Sequence, residues 1–279
     1  MRGKQVILVT GCSSGIGQAT AIEAARRGHQ VFASARRRED VADLMAKGIE
    51  TLALDVTDPA SIGAGVAATL ATAGRIDALV NNAGYGQYGA IEDVSAEEWR
   101  AQFDVNVFGA LAILRAVLPG MRAARRGTIV NVSSLAGRVT VPFAGPYCAS
   151  KYALEAISDA LRVEIAPWRI RVVIVEPGPI QTNFGDRSRQ ATARILGTPG
   201  PYSRFYENAE RASQKDFQRG RRRPETVARV IVRAIESKRP RTRYRVAPLA
   251  RIMVPLKGLT SDRFLDRRMK RILRLPDNI

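Results

Sequence analysis

Tyr147 and Lys151 stand four residues apart in a stretch of helical period, a spacing that puts both side chains on one helix face. A phenol, with a pKa of about 10, is a poor base near neutral pH. An ammonium beside it favours the phenolate and lowers that value, so the pair makes a tunable acid/base where either residue alone would not. A second set of residues suits an anionic ligand. Thr10, Gly11, Cys12, Ser13, Ser14, Gly15, Ile16 and Gly17 follow a short apolar run and lead into a helical segment. Glycines let the backbone turn tightly and approach a pyrophosphate, while the new helix offers free N–H groups and the positive end of its dipole. The spacing is G-x-x-x-G-x-G rather than the G-x-G-x-x-G of the standard dinucleotide fingerprint.

The surrounding sequence supplies elements to hold both sets in place. Short β-branched runs recur at Val6–Val9, Val31–Ala33, Thr51–Leu54, Ala78–Val80, Thr128–Val132 and Ile170–Val175. Between them lie segments of helical length and period, among them Gln18–Arg27, Ala60–Ala73, Glu97–Val117 and Ala149–Ile165. Apolar strands separated by helices predict a parallel sheet covered on both faces. Right-handed crossovers make this an α/β, Rossmann-like, doubly wound sheet of about seven strands, the seventh at Tyr244–Val246. Ligands of such sheets bind beyond the carboxyl ends of the strands, where the glycine loop falls. Residues 185–222 are polar, arginine-rich and weakly periodic, which suggests a flap or a helical insertion, and Pro224–Ser237 reads as a helix with proline in its first turn. The expected organisation is one catalytic domain over residues 1–248, with 185–222 as a substrate flap, followed by a basic amphipathic extension over 249–279.

The loop Thr-Gly-x-x-x-Gly-x-Gly resembles that of the short-chain dehydrogenase/reductase family. Further motifs of that family stand in order: Asn81-Asn82-Ala83-Gly84 after the fourth strand, Asn106 in a helix, Ser134 lying 13 residues before Tyr147, and Pro177-Gly178 followed by Ile180 and Thr182. Together they cover roughly residues 5–183. The resemblance implies an oxidoreductase in which Tyr147 exchanges a proton with the substrate oxygen, Ser134 positions that oxygen, and Lys151 also holds the nicotinamide ribose. Asn106 would support Lys151 through water, and Asn82, Ala83 and Gly84 would border the cofactor. Ile180 and Thr182 would contact the carboxamide, and Asp55-Val56 matches the family's adenine-contacting pair. Within the family, the sequence is similar to the hydroxysteroid and retinol dehydrogenase branch, which suggests a bulky apolar alcohol, ketone or aldehyde as substrate. Homodimers or homotetramers through the helices carrying Asn106 and Tyr147 are a further implication.

Charge bears on the choice of cofactor. An NAD site places an acid at the end of the second strand to bind the ribose 2′-hydroxyl. Here the strand ends Ala35-Arg36-Arg37-Arg38, with no acid until Glu39. Arginine grips a phosphate bidentately, so NADP(H) is expected over NAD(H), with Arg36 as the first 2′-phosphate ligand and Arg37 as the second choice.

Over its 279 residues the chain carries 44 Lys+Arg against 26 Asp+Glu, a formal net charge of +18. Residues 1–184 hold 19 basic and 17 acidic side chains, leaving 25 and 9 for residues 185–279. The excess positive charge therefore belongs to the flap and tail. In the flap, Phe184, Phe205, Tyr206 and Phe217 could line a substrate site or pack within the insertion, and Arg187, Arg189 and Arg204 leave open a substrate carrying an anionic group. In the tail, Phe264, Leu265, Met269, Ile272 and Leu273 form an apolar stripe opposite six basic residues. That helix could pack on the body or on another subunit, or make peripheral contact with an anionic membrane. No nucleic-acid module accompanies the charge, so nucleic acid is not an expected partner.

Cys12 and Cys148 read as free thiols, and two cysteines with one histidine cannot form a structural zinc site. A reducing cytoplasm is the expected compartment. No run of 18 apolar residues occurs, so no transmembrane helix is expected. His29 reads as a surface residue at a helix end, and Trp99 and Trp168 as packing residues. Two rival functions fit part of the pattern. A non-catalytic dinucleotide sensor needs the glycine loop but no acid/base pair, and a peripheral membrane protein would rest on the tail.

Overall fold

Strand β1 (Val6–Val9) is apolar at every position and buried at every position. Alternate residues point to opposite faces of a strand, so such a run needs cover on both sides. The computed structural model, which describes residues 3–220, 222–246 and 260–275 (backbone alone for 212–220), provides it. Strands β1, β2 (Gln30–Ala35), β3 (Glu50–Ala53), β4 (Ala78–Asn81), β5 (Gly127–Val132), β6 (Ile170–Glu176) and β7 (Arg243–Arg245) form one parallel sheet in the order β3-β2-β1-β4-β5-β6-β7. On one face Ile7 and Val9 cluster with Ala21 and Ala24 of helix α1 (Gly15–Arg26) and with Val227, Ile231 and Ile235 of the later helix Pro224–Glu236. On the other face Val6 and Leu8 cluster with residues of α2 (Pro59–Ala73), α4 (Ala110–Ala123) and α5 (Gly145–Glu164). Truncating a fully buried side chain such as Ile231 to alanine should cost about 2–5 kcal/mol. Strand order reverses between β1 and β4, which opens a crevice at their carboxyl ends.

The elements follow the sequence pattern with instructive departures. Helix α2 starts where Asp58 caps it, accepting from the Ala60 N–H at 2.9 Å, with Pro59 in the first turn. The expected helix Glu97–Val117 is α3 (Ala96–Phe103) and α4 joined by a π-helical turn over Asp104–Gly109. Helix α3 begins in a capping box: Ser95 Oγ accepts from the Glu98 N–H, and Glu98 Oε2 accepts from the Ser95 N–H at 2.8 Å. Within the joined run Ala96–Ala123 an 18-residue window reaches a mean hydropathy of 1.4, so the run is long and apolar enough by length and composition to cross a membrane although charged residues interrupt it; 44% of that window is buried inside the protein, where Ile113, Val117 and Met121 join the core. Helix α5 starts at Gly145, earlier than expected, so Tyr147 lies in its first turn. A 3₁₀ segment over Arg38–Lys47 has no counterpart in the expected elements.

The flap region is helical: α6 (Phe184–Gly197) and α7 (Ser203–Gly220), followed by α8 (Pro224–Glu236). The last described helix, α9 (Asp262–Leu273), lies against α7. Its stripe divides, with Leu273 buried and Leu265 and Met269 partly buried, while Phe264 and Ile272 are exposed. Residues 249–259 and 276–279 of the expected tail and the Phe217 side chain lie outside the described residues. His29 is not a surface residue: it is buried, with Nδ1 accepting from the Gln5 N–H at 3.3 Å and Nε2 3.3 Å from Glu236 of α8. A partner 207 residues away buries it. Trp99 packs against the small cluster of Ala90, Val94, Ile195 and Tyr206, whereas Trp168 stays partly exposed beneath the Arg122 guanidinium.

Candidate active site

A cleft of about 560 Å³ runs across the carboxyl ends of the strands. Its first section is the glycine loop between β1 and α1. Gly11 and Gly15 adopt φ of +69° and +65°, a left-handed backbone that favours glycine. A Cβ on Gly17 would stand 2.3 Å from the Gly11 carbonyl oxygen, so only glycine fits there. Ser14 is the N-cap of α1 yet its hydroxyl caps nothing, and no acid stands in the first turn. The loop thus keeps uncapped N–H groups and a positive dipole end for an anion, and the residues present fit a dinucleotide pyrophosphate.

The loop is braced from β4. Thr10 Oγ1 accepts from the Asn82 and Ala83 N–H groups at 3.0 Å each, and Asn82 Nδ2 donates back to the carbonyls of Thr10 and Gly11. Thr10 and Gly17 serve this frame, whereas Gly11, Ser14, Gly15, Ile16, Asn82, Ala83 and Gly84 line the cleft itself. Asp55 and Val56 lie farther out, after β3. Asp55 Oδ1 accepts from the N–H and hydroxyl of Thr57, and Val56 is buried against Gly109. At the end of β2, Arg37 is held by Asp40 at 2.7 Å. Arg36 is exposed and makes no hydrogen bond or ion pair among the described residues.

The middle section holds the acid/base group. Tyr147 and Lys151 share a face of α5 and both line the cleft, with Lys151 Nζ 5.9 Å from the phenol ring centroid. Lys151 donates to the Val132 carbonyl at 2.9 Å. Burial pushes its pKa down to about 8, against the opposing charge of Glu155. Contrary to the lowering expected from the Lys151 ammonium, burial pushes the Tyr147 phenol well up, with Tyr88 adding to the shift and the Ser134 hydroxyl opposing it. Ser134 Oγ accepts from the Ala136 N–H at 3.1 Å, which leaves its own proton to donate. Asn106 sits in the π turn, a feature that recurs at functional sites. Its Nδ2 donates to the Tyr85 carbonyl and to Ser150 Oγ, and a Cβ on Gly84 would meet its Oδ1 at 2.9 Å. It therefore stands behind Gly84 and beside the Lys151 helix rather than in the cleft. Pro177, Gly178, Ile180 and Thr182, following β6, form the opposite rim.

The far section is apolar and partly new. Val141, Pro142, Phe143, Phe184, Leu196 and Tyr206 line it, with Tyr88 edge-on to Tyr147 at 6.2 Å between ring centroids. Of the flap aromatics, Phe184 lies 5.5 Å from the Tyr147 ring, and Tyr206 both lines the cleft and joins the Ala90–Val94–Ile195 cluster; Phe205 does not line it. No local signal singled out Tyr88, Val141 or Phe143. Arg187 lines the cleft and donates to Ser13 Oγ at 2.8 Å, and Arg189 pairs with Asp186 and Glu210. Among the described residues no group of three His, Cys, Asp or Glu side chains is placed to hold a metal.

A doubly wound sheet with a phosphate cradle at its switch point and a Tyr–Lys pair facing the same cleft defines a nicotinamide-dependent oxidoreductase. The chain belongs to the short-chain dehydrogenase/reductase family: the family profile described as short chain dehydrogenase matches residues 5–193. It is 35% identical over 250 residues to a 3-ketodihydrosphingosine reductase of Bacteroides thetaiotaomicron, covering 89% of this chain and 90% of that one. It is 37% identical over 268 residues to retinol dehydrogenase 8 of Bos taurus, covering 88% and 83%. Among solved structures, a short-chain dehydrogenase/reductase from Burkholderia phymatum in complex with NAD superposes with a TM-score of 0.81 at 27% identity, over 94% of this chain and 95% of that one. A metagenomic short-chain oxidoreductase in complex with NADP gives 0.67 at 28% identity, over 86% and 96%. The protein is thus an enzyme of hydroxyl/carbonyl oxidoreduction using a nicotinamide dinucleotide.

Proposed function

We propose that the protein interconverts a hydroxyl and a carbonyl on a bulky apolar alcohol, ketone or aldehyde, with NADP(H) preferred over NAD(H). One observation carries this reading: Tyr147, Lys151 and Ser134 open into a single cleft whose far wall is apolar and roofed by the flap helices. When bound, the nicotinamide supplies or accepts the hydride at the substrate carbon. In the reductive direction Tyr147 gives its phenolic proton to the carbonyl oxygen, which the Ser134 hydroxyl holds. The Lys151 ammonium then stabilises the phenolate left behind. Burial keeps the phenol protonated beforehand, which is the state carbonyl reduction consumes.

Lys151 has two further N–H donors beyond the one given to Val132, enough to hold a ribose. Asn106 acts as a positioning residue behind it. Asn82, Ala83 and Gly84 would border the cofactor, and Pro177, Gly178, Ile180 and Thr182 the nicotinamide carboxamide. Asp55, with Oδ2 unused by its local turn, and Val56 would face the adenine. Arg36, exposed and unpartnered, takes the 2′-phosphate ahead of Arg37, whose charge Asp40 already engages. The similarity to a 3-ketodihydrosphingosine reductase and to a retinol dehydrogenase supports the same substrate class.

Exposed Phe108 and Val163, on the segments that carry Asn106 and Tyr147, suit a homodimer or homotetramer. Cys12 and Cys148, both buried and neither in a disulfide, suit the cytoplasm. Exposed Phe264 and Ile272 among the arginines of α9 favour an additional peripheral contact with anionic membrane, which liposome sedimentation with and without residues 249–279 would test. The main reading is tested by NADPH and NADH consumption against a panel of long-chain and polycyclic ketones and aldehydes. NADPH should be favoured at least about tenfold in kcat/KM, as one added phosphate–arginine contact allows. Equal use of both cofactors would reject the charge argument, and reduction of small polar carbonyls alone would reject the substrate class.

A further inference from the structure

The flap helix α6 does more than roof the apolar end. One turn from its start, Arg187 reaches back over the cleft and its Nη2 donates to Ser13 Oγ at 2.8 Å, joining residues 174 apart in sequence. The contact falls on the glycine loop, not on the substrate wall. Its charge is also felt on the neighbouring side: the Asp40 carboxyl is held low chiefly by Arg37, and the charges of Arg187 and Arg36 add to this. The Cys12 N–H, next to Ser13, donates to the Ser34 carbonyl of β2 at 2.8 Å, so the flap arginine on Ser13 faces the same corner of the cleft as Arg36 and Arg37 at the end of β2, and of the three only Arg37 is paired with Asp40. Among the described residues Arg187 has Ser13 as its one side-chain partner, a neutral hydroxyl that a phosphate oxygen can replace. A gathering of two uncompensated guanidiniums beside a phosphate cradle suits a phosphate monoester dianion.

We propose that Arg187 is a second specificity determinant, closing over the 2′-phosphate of NADP(H) from the flap side while Arg36 holds it from the sheet side. This rests on the NADP(H) reading above and adds a consequence for the substrate end. Ser188, the next residue, accepts from the Gly86 N–H at 3.1 Å, and Thr192 accepts from the Tyr88 N–H at 3.1 Å. Tyr88 stands edge-on to Tyr147. The helix that carries the phosphate ligand is thus the helix that fixes the roof beside the acid, and the phosphorylated cofactor holds that roof down where the unphosphorylated one does not.

The test measures binding by the full-length protein, without turnover. Fluorescence titration gives Kd for NADPH, NADH, adenosine 2′,5′-bisphosphate and 5′-AMP with the wild type, Arg36→Ala, Arg187→Ala, Arg187→Lys and, as a flap-charge control, Arg204→Ala. Arg187→Ala should weaken NADPH and the bisphosphate about tenfold or more and NADH and 5′-AMP less than twofold, as loss of one charge-assisted contact predicts. Arg187→Lys should recover part of the loss, and Arg204→Ala should change nothing. Hydrogen exchange over residues 184–197 should be slowed more by NADPH than by NADH in the wild type, and equally by both in Arg187→Ala. Equal losses for NADPH and NADH would place Arg187 on the pyrophosphate and overturn the proposal, as would no loss at all. If Arg36→Ala discriminates the cofactors and Arg187→Ala does not, the inference fails while the NADP(H) reading stands. A wild type that binds NADH as tightly as NADPH removes both.

Discussion

The two walls of the cleft are held by different means. On the sheet side, Thr10 Oγ1 takes two backbone N–H groups, Asn82 returns two bonds to backbone carbonyls, and Gly17 and Gly84 sit where a Cβ would strike main chain or Asn106. On the flap side, α6 and α7 are held by side chains: Arg194 of α6 grips Glu98 through Nε at 3.0 Å and Nη2 at 2.7 Å, Tyr206 of α7 bonds Asp93 and accepts from the Ala90 N–H, and Arg187 of α6 touches Ser13. Backbone-locked contacts hold the glycine loop against the turn over residues 82–84. Exposed ion pairs give a roof that can change sequence, and substrate, without disturbing the chemistry below. The charge follows the same division, since the nearly balanced first 184 residues carry the chemistry and the basic remainder carries the roof and tail.

Of the changes to the two walls, one in the sheet wall should weaken cofactor binding most. In Gly17→Ala the new Cβ would stand 2.3 Å from Gly11 O and 2.5 Å from Asn82 Nδ2. Both walls of the cradle must move, and an overpacking cost of about 3 kcal/mol converts to NADPH binding weakened about 100-fold. Calorimetric titration within tenfold of wild type would show that the wall yields more easily than its contacts imply.

Lys151→Met should separate function from stability. Turnover should fall about 100-fold or more with loss of the phenolate's partner. The folded protein holds the Lys151 pKa at about 8 against 10.5 when unfolded, so the ammonium's burial cost is fully present below pH 8 and vanishes as pH rises through 10.5. At pH 7 that cost is about 3 kcal/mol, from which loss of the Val132 hydrogen bond takes back about 1 kcal/mol. Urea denaturation at pH 7 should therefore find the variant about 2 kcal/mol more stable, with the gain shrinking from pH 8 to 10. A destabilised variant at pH 7 would mean that the ammonium is better solvated than its surroundings suggest.

The flap wall should respond least. Glu98→Gln retains the capping box, because glutamine can serve at that helix position, but loses the charge that binds Arg194. An exposed pair is worth up to about 1 kcal/mol, so KM for a bulky ketone should rise about two- to fivefold. NADPH affinity should fall less than about twofold, because Arg187 lies two turns of α6 from the broken pair, and Tm should drop by no more than about 4 °C. A fall in NADPH affinity equal to the rise in KM would merge the two walls into one unit.

Legibility in the sequence divides along the same line. The sheet wall was readable because its signals are local: doubly apolar strand runs, a glycine spacing within eight residues, and Tyr147 and Lys151 one helical turn apart. The π turn at Asn106 was not, since one extra residue in a helical turn leaves the apolar pattern of the joined run nearly intact. His29 reads as a surface residue in the local sequence because the partner beside its ring, Glu236, is brought over by α8 from 207 residues away. The flap gave only composition. Its working contacts, Arg187 to Ser13 and Arg194 to Glu98, join residues 174 and 96 apart, and nothing in the local sequence of either partner signals the other.

The most direct test of the account is Tyr147→Phe, which removes one oxygen and leaves the ring packed between Tyr88 and Phe184. Single-turnover reduction with NADPH should slow about 1,000-fold, while the Kd for NADPH stays within twofold of wild type. Reduction that proceeds within tenfold of the wild-type rate would contradict the assignment of Tyr147 as the proton donor and, with it, the chemistry proposed for this cleft.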